Sequence, residues 1–262
     1  MPILPPHYDR FKGDNTMIQD LHSHTYYSFC GADDPEDVIR AAINGGIELF
    51  GICDHNYGVG LARHSVFMSS ATDISPSYER TLRRYFDHVN LLKEKYADKI
   101  KILRGIEVAT VNQMRYALPD SADISFFDYC LIENLDHPDS IAEGDLFAFA
   151  KRCGCKCGIA HTDMFAFIKS RGEDPLEYFT KMAEQGIFWE MNVNYDSIHK
   201  YRVHKYMLEF FESVEQQDIV RRSGVRLSIG FDGHRCAEYL PDRVREYCER
   251  LKELNIPMAF DD

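Results

Sequence analysis

His22 and His24 stand two residues apart, Asp54 adjoins His55, and Asp232 and His234 again stand two apart. Glu107, Glu133, His137, His161, Asp163 and Glu190 are strung between them. Imidazoles and carboxylates together form nitrogen/oxygen sites for zinc, manganese or iron. On extended backbone, side chains at i and i+2 share a face. His22 with His24 can therefore grip one ion, and Asp232 with His234 repeats that geometry. Asp20, two residues before His22, shares its face and is placed to orient an imidazole from behind. Glu107 can bridge two ions, which a neutral imidazole cannot do. Six or more such donors suit at least two divalent ions, about 4 Å apart as in two-metal hydrolases. A single buried histidine is ordinarily a hydrogen-bonded core residue, and Glu107 alone could pair with Arg104 or Arg115. The set as a whole favours metal.

Seven short apolar segments, 18–21, 49–53, 100–108, 129–132, 155–160, 187–193 and 226–229, alternate with amphipathic ones. Asp34-Pro35-Glu36-Asp37 reads as a helix start that runs to Gly45-Gly46. Further helices are predicted over 76–97, 140–152, 175–185, 203–223 and 241–254. Strands separated by helices imply right-handed crossovers and a parallel sheet covered on its faces. Seven units in 262 residues predict an α/β fold, a distorted TIM-barrel-like (β/α)7 barrel, as one domain over 1–262. Six of the eleven histidines, His22, His24, His55, His137, His161 and His234, fall at or just beyond strand ends. Barrel active sites assemble on that C-terminal face.

Composition narrows the class of chemistry. With 45% hydrophobic and 27% charged residues the chain can bury a full core. No apolar run approaches the roughly 18 residues of a membrane span, and the opening MPILPPHYDR is not read as a secretory signal. Eight cysteines without such a signal predict reduced thiols and a cytoplasmic location. The net charge of −12, with no Lys/Arg run longer than a pair, disfavours a nucleic-acid surface. A local cationic site remains open to the chain if metals supply the charge. No Gly-x-Ser-x-Gly elbow or Walker loop is present.

In their order these residues resemble the PHP (polymerase and histidinol phosphatase) superfamily of metal-dependent phosphoesterases. The matching segments are Asp20-Leu-His-Ser-His24, Gly51-Ile-Cys-Asp-His55, Gly105-Ile-Glu107, Ile159-Ala-His161 and Gly230-Phe-Asp-Gly-His234. The resemblance implies a distorted seven-stranded barrel with a three-metal cluster that hydrolyses phosphate esters. His22, His24, Glu107 and Asp232 would serve one ion, Glu107 and His161 a second, and His55 with His234 a third. Two places depart from the family pattern. Where a His or Asp usually serves the third ion the chain has Cys30, with Asp33 or Asp34 as substitutes. The fourth strand usually ends in a His ligand; His137 is preferred here and Glu133 is its rival.

The expected chemistry is attack on the phosphoester by a water activated between two or three Zn, Mn or Fe ions. Asp232 or His234 would take or relay a proton, and His55 or His161 would protonate the leaving oxygen. Histidinol phosphatase is one candidate within that class. A 3′–5′ exonuclease and a non-catalytic metal-stabilised barrel are the alternatives. Arg63 in the long 56–77 connection, Arg171 and Arg235 are phosphate-binding candidates because the guanidinium fork matches phosphate oxygens. Cys153, Cys155 and Cys157 are read as buried or strand-face thiols, since zinc spacings usually leave two residues between cysteines. His199 and His204 are read as solvent-facing, like His7, His64 and His88. Trp189 should pack between barrel and helices.

Overall fold

Alternating apolar segments fold here into seven parallel strands that follow chain order around one sheet. The computed structural model describes residues 17–60, 76–111, 117–142, 145–196 and 204–261. The strands are β1 (Gln19–Asp20), β2 (Leu49–His55), β3 (Lys101–Ala109), β4 (Tyr129–Glu133), β5 (Lys156–Ile159), β6 (Phe188–Asn192) and β7 (Leu227–Gly230). β7 returns to the first strand through Leu21 N–H to Ile229 O at 2.9 Å and Asp232 N–H to His22 O at 2.8 Å. Those bonds close the barrel. The (β/α)7 TIM-like architecture is the one the pattern predicts.

The helices are α1 (Pro35–Asn44), α2 (Asn56–Gly60), α3 (Pro76–Lys95), α4 (Leu146–Cys153) and α5 (Met164–Ser170). They continue with α6 (Pro175–Glu184), α7 (Lys205–Glu212), α8 (Val214–Ser223) and α9 (Pro241–Glu253). Asp34 and Asp174 cap α1 and α6, each before a proline, the local chemistry that starts a helix. No helix among the described residues is long and apolar enough to cross a membrane.

Three expectations need correction. The predicted helix 203–223 is two helices, because Ser213 turns extended and caps α8 through Gln216 N–H. The predicted helix 140–152 begins only at Leu146, where Asp145 accepts from Ala148 N–H. The connection 56–77 opens with helix α2, while Arg63 and His64 lie outside the described residues.

Two buried layers result. Leu21, Leu49, Cys53, Leu103, Tyr129, Leu131, Ala160 and Phe188 fill the lumen, and the larger outer core lies between strands and helices. Trp189 is in the outer core as expected, its indole N–H donating to Thr162 O at 2.9 Å. Glycines in the motifs make room for the lumen aromatics. A Cβ on Gly51 would lie 2.1 Å from the Tyr129 hydroxyl, and one on Gly105 2.5 Å from its Cζ. Tyr129 OH in turn donates to Leu21 O, tying the floor of the barrel to the residue before His22.

Candidate metal centre

β1 ends at Asp20, and the extended residues beyond it deliver His22 and His24 to the C-terminal rim. β2 ends at His55, which is paired with Glu107 near the end of β3, so strand pairing places the glutamate beside that imidazole. Glu107 is fully buried. Its Oε1 lies 3.4 Å from His22 Nε2 and 3.1 Å from His161 Nε2. Its Oε2 lies 3.5 Å from His24 Nε2 and 2.7 Å from His55 Nδ1. Asp232 Oδ1 stands 3.1 Å from His24 Nε2 and 3.6 Å from His22 Nε2.

Orientation of the imidazoles is set from behind. His22 Nδ1–H donates to Glu190 Oε1 at 2.6 Å, which turns its Nε2 toward the cluster. Ser28 Oγ donates to Asp54 Oδ1 at 2.7 Å and accepts from His55 N–H at 2.9 Å. It is therefore an acceptor toward His24 Nδ1 at 3.3 Å, and His24 Nε2 is a lone pair. The two Nε2 atoms face each other across 3.2 Å. Without an ion, a proton on His22 Nε2 bridges them; a bound ion would take that proton's place. Four ligands held tetrahedrally at about 2.0 Å have edges of about 3.3 Å, close to the separations among His22, His24, Glu107 and Asp232. His55 Nδ1 and Glu107 Oε2, though 2.7 Å apart, are buried and make no directed hydrogen bond among the described residues. The residues fit a divalent ion.

Burial disfavours charge on His22, yet the Glu190, Glu107 and Asp232 carboxylates hold its pKa well above the ordinary value. Glu107 and Asp232 also resist burial, held well below the carboxylate range by His55 and His22, and by His22 and His234, respectively. His24 is pushed down to about 3 by burial and by the neighbouring His234 and His55. Backbone strain concentrates at the same place. His161 (φ 22°) and Asp232 (φ 55°) are non-glycine residues at positive φ, a cost of about 1–3 kcal/mol each. Glu190 Oε2, accepting from His161 N–H at 2.8 Å, and His22 O, accepting from Asp232 N–H, hold them there.

Cys30, His24, His55 and His234 bring one donor atom each within 4.8 Å of one another. Asp33 accepts from Cys236 N–H at 2.6 Å and Asp34 caps α1, so neither substitutes for Cys30. The structure does not bring His137 to the cluster. That ring lies on the loop after β4, about a third exposed, its Nδ1 accepting from Asp139 N–H. Glu133, the last residue of β4, points inward instead, its Oε1 3.2 Å from His55 Nδ1. Asp20 accepts from the His22 and Phe231 amides and from Tyr239 OH, so it pins backbone while Glu190 orients the ring. Arg171 ends α5 with its Nε donating to Glu173 at 2.8 Å, away from the cluster; Arg235 is exposed beside His234. Arg104 is spent on Asp128 and Asn90, leaving Glu107 to the histidines. Asp163 is the N-cap of α5, accepting from Ala166 N–H, not a site carboxylate.

His204, expected in solvent, is buried and stacks on His161 with ring centroids 5.3 Å apart. His88, also expected at the surface, is half-buried against Tyr27 OH. Tyr57 stacks on His55 at 4.6 Å, and Phe29, 65% exposed, lies 5.5 Å from Tyr57 and 6.1 Å from His55. An aromatic wall thus borders the rim.

The PHP domain profile matches residues 20–256. The chain belongs to the PHP domain family. Its chemistry is that of the metal-dependent phosphoesterases. No curated protein gives a significant match. Among solved structures, the chain is similar to histidinol phosphate phosphatase (HisK) from Lactococcus lactis subsp. lactis Il1403, complexed with zinc, L-histidinol and phosphate. The two are 18% identical with a TM-score of 0.53, over 92% of this chain and 94% of that one. It is also similar, at 17% identity and a TM-score of 0.46 over 92% and 96% of the chains, to a structure from work on YwqE of Bacillus subtilis and CpsB of Streptococcus pneumoniae, described as metal-dependent tyrosine phosphatases. At these identities the likeness concerns the fold.

Proposed function

We propose that this PHP protein hydrolyses small phosphomonoesters at the rim, using two or three divalent ions from among Zn, Mn and Fe. The observation that carries the reading is Glu107, shared through both oxygens by four imidazoles that come from three strand ends. His22, His24, Glu107 and Asp232 would hold one ion, Glu107 with His161 would serve a second, and Cys30, His55 and His234 a third, with Glu133 beside His55. When bound, such ions lower the pKa of a water and offset charge on phosphoryl oxygens. Asp232, with its side chain 16% exposed, is the central carboxylate most open to substrate and is assigned the proton from the attacking water. His161 is assigned proton donation to the leaving oxygen; its Nδ1 is buried with no partner among the described residues. His55 and His234 remain the alternates for these two proton transfers. Histidinol phosphate is the first substrate to test, and the eight free thiols support a cytoplasmic protein.

Metal analysis of the purified protein, with phosphate release across a panel of phosphoesters and single-stranded DNA, tests the proposal. Phosphate release that needs Zn, Mn or Fe supports it; a metal-loaded protein inert on the whole panel refutes it. Chelation is expected to lower the melting temperature, because ion at 100 to 1,000 times its Kd contributes about 3–4 kcal/mol. Metal-free His234, raised to about 9 by the Asp232 charge despite burial, carries a proton that an ion must displace. Affinity at that position should therefore rise with pH toward that value; chelator competition at neutral and alkaline pH checks the sign.

Phe29→Ala is expected to raise KM several-fold for aryl phosphates with little effect on alkyl phosphates or on kcat. Steady-state kinetics on paired substrates would show it; equal effects on both would mean that the ring does not contact the leaving group.

A further inference from the structure

The second donor cluster lies outside the barrel. Tyr129 and Leu131 point into the lumen, so Cys130 between them points outward, and Cys157 is its direct partner in the β4–β5 register. Their sulfurs are 3.4 Å apart. Cys153, the last residue of α4, brings its Sγ within 4.8 Å of both, and all three are buried. Cys155 is half-buried on the turn between them, its carbonyl oxygen 3.3 Å from Cys157 Sγ. The sequence spacing argues against zinc because only one residue separates Cys153, Cys155 and Cys157 in turn. Strand pairing supplies the missing ligand from a residue more than twenty positions upstream.

We propose that Cys130, Cys153, Cys155 and Cys157 form a structural zinc site that locks α4 onto β4 and β5, separate from the histidine cluster. Four sulfurs at about 2.3 Å from zinc have tetrahedral edges of about 3.8 Å; Cys130 and Cys157 stand 3.4 Å apart and Cys153 lies within 4.8 Å of both. A lone buried thiol is an ordinary small hydrophobe. Convergence of three of the eight cysteines in an otherwise apolar layer, with Cys155 on the adjoining turn, is what that reading leaves unexplained. Softness of the donors selects zinc over magnesium or calcium. Binding exchanges four S–H protons, released to solvent, for one Zn²⁺. The resulting negative charge would lie beside Arg152, the residue before Cys153 in the chain.

The test uses full-length protein carrying Cys30→Ser, which removes the thiol near the histidines. Metal-stripped protein titrated with Co²⁺ should develop near-ultraviolet thiolate-to-cobalt charge transfer, saturating at one equivalent for that band. The band should vanish in the variant that also carries Cys130→Val and Cys157→Val, while the weaker bands of cobalt at the histidine cluster persist. Should the triple variant fail to fold, the Cys30→Ser protein alone decides by presence or absence of charge transfer. No such band, a band that survives the valine changes, or a Cys130–Cys157 disulfide mapped in unreduced protein would overturn the proposal.

Discussion

Glu107→Gln is expected to cut kcat/KM for phosphate release by roughly 10³-fold, about 4 kcal/mol of transition-state stabilisation. The substitution is nearly isosteric, so no cavity or clash accompanies it. It removes the one negative charge whose two oxygens lie within 3.5 Å of His22, His24, His55 and His161. An amide offers one neutral oxygen in place of two charged ones and cannot bridge ions as a carboxylate does. Metal content should fall in parallel, by at least one ion per chain. Circular dichroism should stay unchanged, since the β2–β3 ladder that places residue 107 is backbone only. The outcome also separates rival readings. A barrel that uses metal only for stability would lose melting temperature with no turnover to lose.

The parts of this centre legible in the sequence are those set by strand periodicity. His22 and His24 at i and i+2, and Glu107 near the end of a nine-residue strand, follow from alternation and need no tertiary knowledge. Glu133 was misjudged for a related reason. β4 ends at that residue, so the rule that worked elsewhere selects it, and residue type alone favoured His137 four positions further on. His204 was illegible because it enters from the start of α7, where strand arithmetic says nothing. Its signal was only its place in the connection after β6. Asp163 shows the opposite error. A carboxylate after a strand can serve a site or begin a helix, and Ala166 N–H decides for the helix. Helix α5 went unpredicted because seven residues give too little periodicity to outweigh the acid before it. The break at Ser213 was similarly hidden, as two amphipathic helices sharing one capping serine look continuous in the sequence.

Gly230→Ala is expected to lose roughly 10²-fold in activity, the scale attached to a 1 Å misplacement of catalytic geometry. Gly230 is not among the residues at positive φ, so alanine is permitted by the backbone and the effect must come from space. A Cβ there would lie 2.1 Å from Glu190 Oε1, 3.0 Å from its Cδ and 2.7 Å from His22 Cβ. Glu190 has little freedom to yield, since it holds His22 Nδ1 with one oxygen and His161 N–H with the other. The overpacking should also cost about 1–3 kcal/mol of stability. A double-mutant cycle with Glu190→Ala isolates the cause. If the methyl acts by displacing the carboxylate, Gly230→Ala will destabilise the Glu190→Ala protein much less than the parent, leaving only the contact with His22. Activity will not return, because His22 then lacks the acceptor that fixes its tautomer. Additive melting shifts would place the damage elsewhere, and would mean that the glycine opening the last motif serves chain packing and not the orientation of the first histidine.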